Sequence, residues 1–509
     1  MLNFKRPLTP EELTSRDAEW REELRKAIPQ KERTCVPRVE MPEIPASYRL
    51  HTQKEVNQGL STEQAVLEAR RCLDCPDPGC MKGCPVSNYI PAFIKNIERR
   101  HFADALDVLS LTTVLPAVCG RVCPQEKQCE AGCIYNKLKK PPVAIGALER
   151  FVADFNREME CQDKHEKARP FTMANGSPFF AGIKIAVVGS GPSGLAFAGD
   201  MAKRGYDVTV FEALDRLGGV LKYGIPEFCL PKDVVNAEIA KVADLGVKFE
   251  KNTFVGTTLT YNDLQARGFK GIYVATGAGK PRFMGIPGEY LPGVMTANEY
   301  LIRYNLLRND IYGQNVMSLN RKRVAVIGAG NTAMDAVRAA LRFGAERAMI
   351  VYRRGEDEIP ARAEEVRHAR EEGVEFLTLH NPVEYLAGPD GTLRAMRLQK
   401  MELGEPDASG RRAPVEIPGA IEEVEVDLVI ICVGYLPNPP ELKAGLDISG
   451  KGKIVADPGT GETNQPSIYA GGDIVRGAAT VILAMGDGRR AAQAMSDAFA
   501  TLISNTTLG

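Results

Sequence analysis

The chain has 509 residues, and 64 basic against 65 acidic side chains leave a formal net charge of −1. With 44% hydrophobic and 25% charged residues, it has an ordinary globular composition and no bulk electrostatic attraction to nucleic acid or to an anionic membrane surface. No apolar run approaches the roughly 20 residues of a membrane span, and the opening MLNFKRPLTP lacks the apolar segment of a secretory signal. We therefore expect a cytoplasmic protein of about three domains.

The first third of the chain carries helix-start signals. Thr9-Pro10-Glu11-Glu12 forms a capping-box pattern that predicts a helix to about Ile28, and Ser61-Thr62-Glu63-Gln64 predicts a second helix that ends near Cys72. Residues 90–111 have helical apolar spacing. This part of the chain is predicted to be helical and irregular.

Eight of the twelve cysteines fall between residues 72 and 133. Disulfides are disfavoured in a large chain without a secretory signal, so metal or redox chemistry is the better interpretation. Zinc held by four thiolates is one alternative. The first set ends in Cys-Pro, as bacterial ferredoxin runs do, which favours iron–sulfur clusters. The two sets are Cys72-x2-Cys75-x4-Cys80-x3-Cys84-Pro85 and Cys119-x3-Cys123-Pro124-x5-Cys129-x3-Cys133.

Spacing also bears on which thiols share a cluster. In two-cluster ferredoxins the fourth cysteine of a run binds the other cluster. Cys84 is then expected to leave its own set, with Cys133 as the candidate to replace it. Spacing alone does not determine whether all eight cysteines are ligands. The isolated ones are interpreted as small buried residues or surface thiols: Cys35, Cys161, Cys229 and Cys432.

Residues 161–183 are polar with Pro, Gly and Asn, and are predicted to form a linker. The first dinucleotide fingerprint follows, between a predicted strand at Ile185–Val188 and a predicted helix at Leu195–Arg204. Such glycines allow a tight turn, close approach to a pyrophosphate and close helix–strand packing. Glu212 ends the next strand, where a carboxylate can bond a ribose hydroxyl. The fingerprint consists of Gly189, Ser190, Gly191, Pro192, Ser193 and Gly194.

A second fingerprint begins about 140 residues later, after a predicted strand at Val324–Ile327. The next strand, Met349–Tyr352, ends in Arg353 and Arg354 instead of an acid. Guanidinium groups suit a 2′-phosphate, so NADP(H) is preferred over NAD(H), although solvated loop arginines remain the alternative. The fingerprint consists of Gly328, Ala329, Gly330, Asn331, Thr332 and Ala333.

Several further strand ends are candidates for contact with a cofactor, each against the alternative of an ordinary turn. Two of them follow predicted strands at 271–274 and 427–431, and a third follows 467–469 and precedes a predicted helix at 481–498. Asp473 is expected beside the ribityl or phosphate part of a flavin. The candidate residues are Arg216, Gly218, Gly219, Ala275, Thr276, Gly277, Cys432, Gly434, Gly471, Gly472 and Asp473.

Two dinucleotide sites in one chain suggest a flavin and a nicotinamide that exchange a hydride, with no acid–base catalysis by a protein side chain. The fold class follows: an N-terminal α-helical iron–sulfur domain, then two doubly wound, Rossmann-like α/β domains. The expected division is residues 1–170 for the iron–sulfur clusters, 183–315 and 437–509 for FAD, and 316–436 for an inserted NADPH domain.

Several segments together resemble one family. RCLDC, GCPVSNYIPAFI, LPAVCGRVCPQEKQCEAGCI, GSGPSGLAFA, GAGNTAMDA, VYRRGEDEIPAR and GGDIVRGAATVILAMGDGRRAA resemble, in order, the small (beta) subunit family of NADPH-dependent glutamate synthase. The likeness covers residues 35–505. The architecture is also similar to the amino-terminal part of dihydropyrimidine dehydrogenase and to the large subunit of the bifurcating NADH-dependent reduced ferredoxin:NADP oxidoreductase, to which the segment from MPEIPASYR to RRCLDC looks closer.

The resemblance implies specific ligands. One 4Fe–4S cluster would be held by Cys72, Cys75, Cys80 and Cys133, and a second by Cys84, Cys123, Cys129 and the carboxylate of Glu149. Cys119 would then not be a ligand. The family usually has arginine at the Cys229 position, so the role of that arginine near the flavin is in doubt in this chain.

The resemblance also implies a function. NADPH would give a hydride to FAD, and single electrons would leave through the clusters to a partner. That partner is an FMN-containing large subunit that makes glutamate, or, in the bifurcating alternative, a small flavoprotein subunit with ferredoxin. A non-catalytic dinucleotide-binding scaffold is the remaining alternative, and it leaves the clustered cysteines without a use.

Overall fold

The N-terminal third of the protein is helical in the computed structural model, which describes residues 9–162, 180–307, 318–408, 410–437, 439–440 and 445–507. Its core contains Phe93, Ile97, Leu109 and Leu148, all of which are buried. The helices of this part are α1 (Pro10–Thr14), α2 (Glu19–Ala27), α3 (Gln30–Arg33), α4 (Ala46–Arg49), α5 (Thr62–Ala69), α6 (Gly79–Lys82), α7 (Ile90–Glu98), α8 (Phe102–Ser110), α9 (Pro116–Val122), α10 (Ile134–Lys137) and α11 (Ile145–Gln162).

Both predicted capping boxes form, at Thr9 and at Ser61. The helix predicted from Pro10 to Ile28 is nevertheless broken into α1 and α2. Arginine side chains satisfy the carbonyl groups at the break: the buried Arg21 donates to the Thr14 carbonyl oxygen, and the partly buried Arg25 donates to that of Arg16. The predicted helical segment 90–111 is likewise divided into α7 and α8, because Arg100 adopts a φ of 64°.

A first parallel sheet follows the helical domain. Its strand order is β15-β4-β1-β2-β3, and each neighbouring pair is parallel. Helix α11 takes in the first two residues of the predicted linker, and residues 163–179 of that linker lie outside the described part of the chain. The elements are β1 (Lys184–Val188), α12 (Pro192–Lys203), β2 (Asp207–Phe211), α13 (Val220–Tyr223), α14 (Lys232–Asp244), β3 (Lys248–Glu250), α15 (Tyr261–Ala266), β4 (Phe269–Val274) and β5 (Lys280–Pro281), and the end of the chain adds β15 (Ile468–Ala470), α19 (Asp473–Arg476) and α20 (Val481–Thr507).

A second parallel sheet has the order β6-β13-β7-β8-β9. Strand β6 pairs with β13 and so belongs to this sheet. It lies before residue 316, at which the sequence pattern places the start of the NADPH domain. The elements of this part of the chain are β6 (Val294–Thr296), α16 (Ala297–Leu306), β7 (Arg323–Ile327), α17 (Asn331–Arg342), β8 (Arg347–Tyr352), α18 (Ala363–Glu371), β9 (Glu375–Thr378), β10 (His380–Ala387), β11 (Leu393–Pro406), β12 (Arg412–Glu425), β13 (Leu428–Ile431) and β14 (Tyr435–Leu436).

One face of the second sheet is covered by strands instead of helices. The antiparallel sheet β10-β11-β12 packs Tyr385, Met396 and Leu398 against Ile327 and Val351. The fold class is therefore confirmed as a helical domain followed by two Rossmann-type α/β units, with this small antiparallel sheet as an addition. Among the described residues, no helix is both long and apolar enough to cross a membrane.

Candidate functional site

The first fingerprint forms a tight loop between β1 and α12. A Cβ added to Gly194 would lie 2.0 Å from the Gly189 carbonyl oxygen, so only glycine permits this helix to pack so closely on the strand. A Cβ added to Gly191 would meet no protein atom within 4 Å. The backbone at Gly191 is therefore open on the side where a pyrophosphate would approach the start of α12. These properties fit a dinucleotide.

Glu212 lies at the end of β2 beside this loop and is buried. Its carboxylate accepts hydrogen bonds from the Ser190 backbone N–H at 3.0 Å, the Ser190 hydroxyl at 2.5 Å and the Leu214 N–H at 2.9 Å. These donors fix the carboxylate at the rim of the fingerprint, as the ribose-binding role requires.

The other expected flavin-side residues gather at the same carboxyl edge of the first sheet. A Cβ added to Gly219 would lie 3.1 Å from the Gly191 Cα, and one added to Gly472 would lie 2.9 Å from the Ser193 Cβ. The Val188 carbonyl oxygen accepts the Ala275 N–H, which brings the Thr276–Gly277 turn alongside the loop. Arg216 lies beyond Glu212 with a partly exposed side chain that contacts Asp215 at 3.5 Å.

Asp473 begins α19 at the same edge. Burial raises the pKa of its carboxyl to about 6, and the Ala479 N–H donates to it at 3.2 Å. Behind it, Asp487 accepts the Gly472 N–H at 3.0 Å and pairs with Arg476. The Gly471–Asp473 turn is therefore anchored from α20.

The second fingerprint repeats this arrangement between β7 and α17. A Cβ added to Gly328 would lie 2.6 Å from the Cys432 carbonyl oxygen, while one added to Gly330 would meet no protein atom within 4 Å. Asn331 begins α17, and its side-chain oxygen accepts the Arg362 N–H at 2.8 Å. Thr332 and Ala333 follow on the helix, and Gly434 lies just past β13 at the same sheet edge.

The two arginines after β8 differ in their surroundings. Arg353 is exposed, whereas Arg354 is buried and pairs with Asp407 at 2.5 Å, beyond the end of β11. The Arg354 Nη1 atom is buried without a hydrogen-bond partner among the described residues. One guanidinium faces solvent and the other keeps an unused donor, which fits a phosphate-binding role for the pair.

A first group of thiols lines an apolar pocket in the helical domain. Burial raises the pKa of Cys72 to about 11, and burial followed by neighbouring thiols raises that of Cys80 further. Raised pKa values keep the Cys72 and Cys80 thiols protonated until a metal displaces the protons. The group consists of Cys72, Cys75, Cys80 and Cys133, and Cys84 does not line this pocket.

A second group surrounds Glu149 on α11. Burial raises the pKa of this carboxyl to about 8, and Asn88 donates to it at 3.3 Å. Burial raises the pKa of Cys84 to about 11, and the nearby Glu149 charge adds to that rise. Burial likewise raises the pKa of Cys129, with Glu149 contributing. The group consists of Cys84, Cys119, Cys123, Cys129 and Glu149.

Cys119 belongs to this second group, and its side chain contacts helix α20. It is 1% exposed, and its Sγ lies 3.6 Å from the Met485 Sδ on α20. A Cβ on Gly486 would lie 2.7 Å from the Pro85 carbonyl oxygen. The second thiol group is thus packed directly against the helix that follows the Gly471–Asp473 turn.

Three glycines that the sequence analysis did not single out bring the two cysteine sets together. A Cβ on Gly79 would lie 2.4 Å from the Gly132 carbonyl oxygen, and one on Gly83 would lie 2.5 Å from that of Gln128. The signal in the sequence is the glycine directly before Cys80, Cys84 and Cys133. These backbone contacts cross the two sets and make the exchange of cysteines between them possible.

Two family models match the chain. Dihydropyrimidine dehydrogenase domain II, 4Fe-4S cluster, matches residues 49–161. Pyridine nucleotide-disulphide oxidoreductase matches residues 184–488. The first contains both thiol groups, and the second contains both fingerprints.

Two curated relatives illustrate the range of similar proteins. The glutamate synthase (NADPH) small chain of Azospirillum brasilense is 36% identical over 88% of this chain and 92% of its own length. The NADP(+)-dependent formate dehydrogenase subunit beta of Moorella thermoacetica is 38% identical over 81% of this chain, which corresponds to 59% of that protein.

Among solved structures, FprA of Mycobacterium tuberculosis in complex with NADPH has a TM-score of 0.54 and is 23% identical. The alignment covers 64% of this chain and 86% of FprA. At this identity the likeness concerns the fold alone.

Proposed function

Because this chain belongs to the family of the NADPH-dependent glutamate synthase small chains, an oxidoreductase family with a 4Fe–4S domain, we propose that it passes electrons from NADPH to a partner subunit. The electrons would travel through FAD and two 4Fe–4S clusters. The supporting observation is the continuous core that joins the second thiol group to the first parallel sheet, in which Cys119 and Cys123 pack with Leu195 and Met485.

The fingerprints would bind and orient the two dinucleotides. Gly189, Ser190, Gly191, Pro192, Ser193 and Gly194, with Glu212, Arg216, Gly219, Thr276, Gly277, Gly472 and Asp473, would hold FAD. Gly328, Gly330, Asn331, Thr332 and Ala333, with Gly434, would hold NADPH, and Arg353 and Arg354 would contact its 2′-phosphate. When bound, the flavin and the clusters convert one hydride into single electrons. No side chain is assigned a proton-transfer role.

The cysteines would divide as the resemblance implies. Cys72, Cys75, Cys80 and Cys133 would bind one cluster, and Cys84, Cys123, Cys129 and Glu149 the other. The buried, weakly paired carboxylate of Glu149 supports this proposal, because a cation would offset the burial of its charge. We further propose that residues 1–170 form the cluster domain, that the NADPH domain is inserted into the FAD domain, and that the protein works in the cytoplasm.

The electron acceptor distinguishes two versions of this proposal. In the first, the partner is an FMN-containing large subunit that makes glutamate. In the second, the chain is the large subunit of a bifurcating transhydrogenase with a small flavoprotein subunit and ferredoxin, a version favoured by the segment from MPEIPASYR to RRCLDC. The identity of the bound partner subunit and the activity of the native complex distinguish the two versions.

The experiment is anaerobic purification of the tagged chain from its own host, followed by identification of the co-purifying subunit and its cofactors. A large FMN subunit and NADPH-dependent glutamate formation would support the first version. A small subunit that binds NAD and a 2Fe–2S cluster would support the second. A purified chain that contains FAD and iron but does not oxidise NADPH with a dye acceptor would contradict both.

A further inference from the structure

A loop at residues 42–58 connects the helical domain to the second α/β unit, the one built on the sheet β6-β13-β7-β8-β9. The two ends of the loop pair with each other. Glu43 and Asn57 form an antiparallel bridge, and the Gln58 N–H donates to the Pro42 carbonyl oxygen at 2.7 Å. Helix α4 lies between these ends. The segment therefore closes on itself before α5 begins, and we call it the bridging loop.

The base of the bridging loop is fixed to two helices of the helical domain. Glu55 accepts a hydrogen bond from the Arg121 Nε of α9 at 2.9 Å and pairs with the Arg150 Nη1 of α11, also at 2.9 Å. The Arg150 Nη2 donates to the Asn57 carbonyl oxygen at 3.0 Å. Both arginines are buried. The loop is thereby joined to the core in which Cys119 of α9 packs against the first sheet.

The opposite side of the loop contacts helix α18 of the second unit through Arg49. This residue is 3% exposed. Its Nη1 donates to the Glu371 Oε2 at 2.7 Å, and its Nη2 donates to the Glu43 Oε2 at 2.8 Å. Its Nε donates to the Ile44 carbonyl oxygen at 2.7 Å. Arg49 therefore binds one carboxylate from each side of the contact.

Glu43 extends the network of charges across the same contact. It accepts a hydrogen bond from Arg367 and lies 3.1 Å from the His368 Nε2, and both of these residues lie on α18. Burial acts to raise the pKa of Glu43, but the hydrogen bonds from Arg367 and His368 lower it to about 2. Glu43 is therefore ionised at neutral pH. Because charge-assisted hydrogen bonds are short and directional, this network specifies one orientation of α18 relative to the loop.

An apolar contact supports the ionic one. Val56 is 3% exposed and lies in the hydrophobic core of the second unit, together with Phe228 and Tyr304. Its N–H donates to the Phe228 carbonyl oxygen at 3.0 Å, and its own carbonyl oxygen accepts the Ile44 N–H at 2.9 Å. The Tyr304 hydroxyl donates to the Gln53 side chain. Since Phe228 lies between α13 and α14 of the first α/β unit, the loop contacts all three parts of the chain.

We propose that the bridging loop fixes the orientation of the NADPH unit relative to the FAD unit, with Arg49 as the positioning residue. The inference rests on the proposed transfer of a hydride from NADPH to FAD. Rotation of the NADPH unit would separate Arg49 from Glu371 and leave a buried charge without one of its partners. A displacement of 1 Å at the reacting atoms can slow a reaction about 100-fold. The loop therefore keeps the nicotinamide-binding unit at the distance that hydride transfer requires.

The test compares Arg49→Met and Arg49→Lys with wild type, after iron and FAD contents confirm that each protein is folded and loaded. Stopped-flow absorption gives the NADPH dissociation constant and the rate of flavin reduction at saturating NADPH. We expect Arg49→Met to lower this rate about tenfold or more and to change the dissociation constant less than about twofold. Arg49→Lys keeps a cation and should recover part of the rate.

Two further variants make the test specific. Glu371→Gln, at the partly exposed end of the contact, should lower the rate less than Arg49→Met does. Combined with Arg49→Met it should add nothing, because the two residues act as a pair. The control is Arg370→Met, which removes an arginine of the same helix that pairs with Glu356 inside the second unit at 2.9 Å. This control should keep the wild-type rate, and if Arg49→Met does not fold, Glu371→Gln decides the question.

Hydrogen exchange of the same proteins gives a readout that does not depend on turnover. Peptides that cover α18 should exchange faster in Arg49→Met than in wild type, while those that cover α12 should not change. The proposal is overturned if Arg49→Met reduces the flavin at the wild-type rate, if Arg370→Met is equally slow, or if the loss is confined to the NADPH dissociation constant.

A separate outcome concerns the proposed function itself. If NADPH does not reduce the flavin of the wild-type protein, the proposed function fails, and the bridging loop is then judged by hydrogen exchange alone. Faster exchange of α18 in Arg49→Met would still support the role of the loop in holding this unit. Equal exchange in Arg49→Met and wild type would overturn it.

Discussion

Arg362 reaches across the domain boundary and donates from Nη1 to the Arg121 carbonyl oxygen at 2.6 Å. Its Nη2 donates to the Gln125 side-chain oxygen at 3.2 Å. Its backbone N–H donates to the side-chain oxygen of Asn331 in the second fingerprint. Lys127 donates to the Pro360 carbonyl oxygen from the other side. The loop that contains Cys123 and the second fingerprint are therefore connected through one buried arginine.

The first prediction concerns this arginine. Arg362→Met removes a positive charge near Cys123 and three side-chain hydrogen bonds, so the folded state should lose about 1–3 kcal/mol. The second cluster should also titrate at a more negative potential, because the nearby positive charge favours the reduced cluster. Potentiometric titration followed by electron paramagnetic resonance measures this. Arg362→Lys, which keeps the charge, should restore most of the potential, and an unchanged potential in Arg362→Met would disprove the connection.

The second prediction concerns nucleotide choice. Arg353→Ala and Arg354→Ala should each weaken NADPH binding about tenfold or more, since a charge-assisted hydrogen bond contributes about 1.5–3 kcal/mol. NADH binding should change little. Titration with the two nucleotides measures the difference. Arg347→Ala removes an exposed arginine at the opposite end of β8 and is the control; equal losses for both nucleotides would refute a 2′-phosphate contact.

The third prediction separates the packing role of one glycine from the binding role of another. Gly194→Ala forces a Cβ against the Gly189 carbonyl oxygen and should cost about 1–3 kcal/mol of stability. Gly191→Ala meets no protein atom and has an ordinary negative φ, so the fold should persist while FAD is lost. Flavin content and thermal unfolding of both variants test this. A Gly191→Ala protein with full FAD would show that the loop does not face the cofactor.

The local structure was predictable where short-range chemistry decides it. The capping box at Ser61, the two glycine fingerprints and the strands after them form as predicted, because their signals lie within a few residues. The break between α1 and α2 was not predictable, since it depends on Arg21 and Arg25 reaching buried partners, including the distant Asp74. The covering sheet β10-β11-β12 was missed because its long strands alternate weakly.

In the candidate site, too, short-range patterns were predictable and contacts between distant residues were not. Spacing suggests that Cys84 leaves its own set and that Cys133 completes it, and the structure places Cys133 beside Cys72, Cys75 and Cys80 in one pocket. Cysteine spacing could not predict that Glu149 lies beside the second thiol group, because its carboxylate comes from a helix that begins twelve residues after Cys133. The pairing of Arg354 with Asp407 was also hidden, since 53 residues separate them along the chain.

The fourth prediction concerns the ligands of the second cluster. Glu149→Ala should halve the iron and sulfide content, from about eight atoms of each to about four, because a 4Fe–4S cluster needs all its ligands. Cys119→Ala, in the same group, should keep the full content. Anaerobic iron and sulfide analysis checks both variants. Full iron in Glu149→Ala together with loss in Cys119→Ala would assign the fourth ligand to the thiol instead.

The fifth prediction is a pH dependence of stability. Burial raises the pKa of Glu238 to about 7, and its carboxylate accepts the Ala117 N–H at 3.0 Å. The folded state thus binds more protons than the unfolded state between about pH 4.5 and 7, and this carboxyl's contribution to stability falls as pH rises through that window. Glu238→Gln keeps an acceptor and removes the charge.

The variant should therefore equal wild type near pH 4, below that window, and exceed it by about 1–3 kcal/mol at pH 8. Thermal unfolding midpoints of the two proteins across this range provide the measurement. A constant difference between variant and wild type at every pH would show that Glu238 does not titrate on folding.

The most direct test of the electron path is a stepwise anaerobic titration of the purified chain with NADPH. Absorption of the flavin is followed together with electron paramagnetic resonance of the clusters. We predict that NADPH bleaches the flavin and that signals of reduced iron–sulfur clusters then develop in the same molecules. Flavin bleaching without any cluster signal, even after a strong chemical reductant, or a preparation that lacks flavin or iron, would contradict the account.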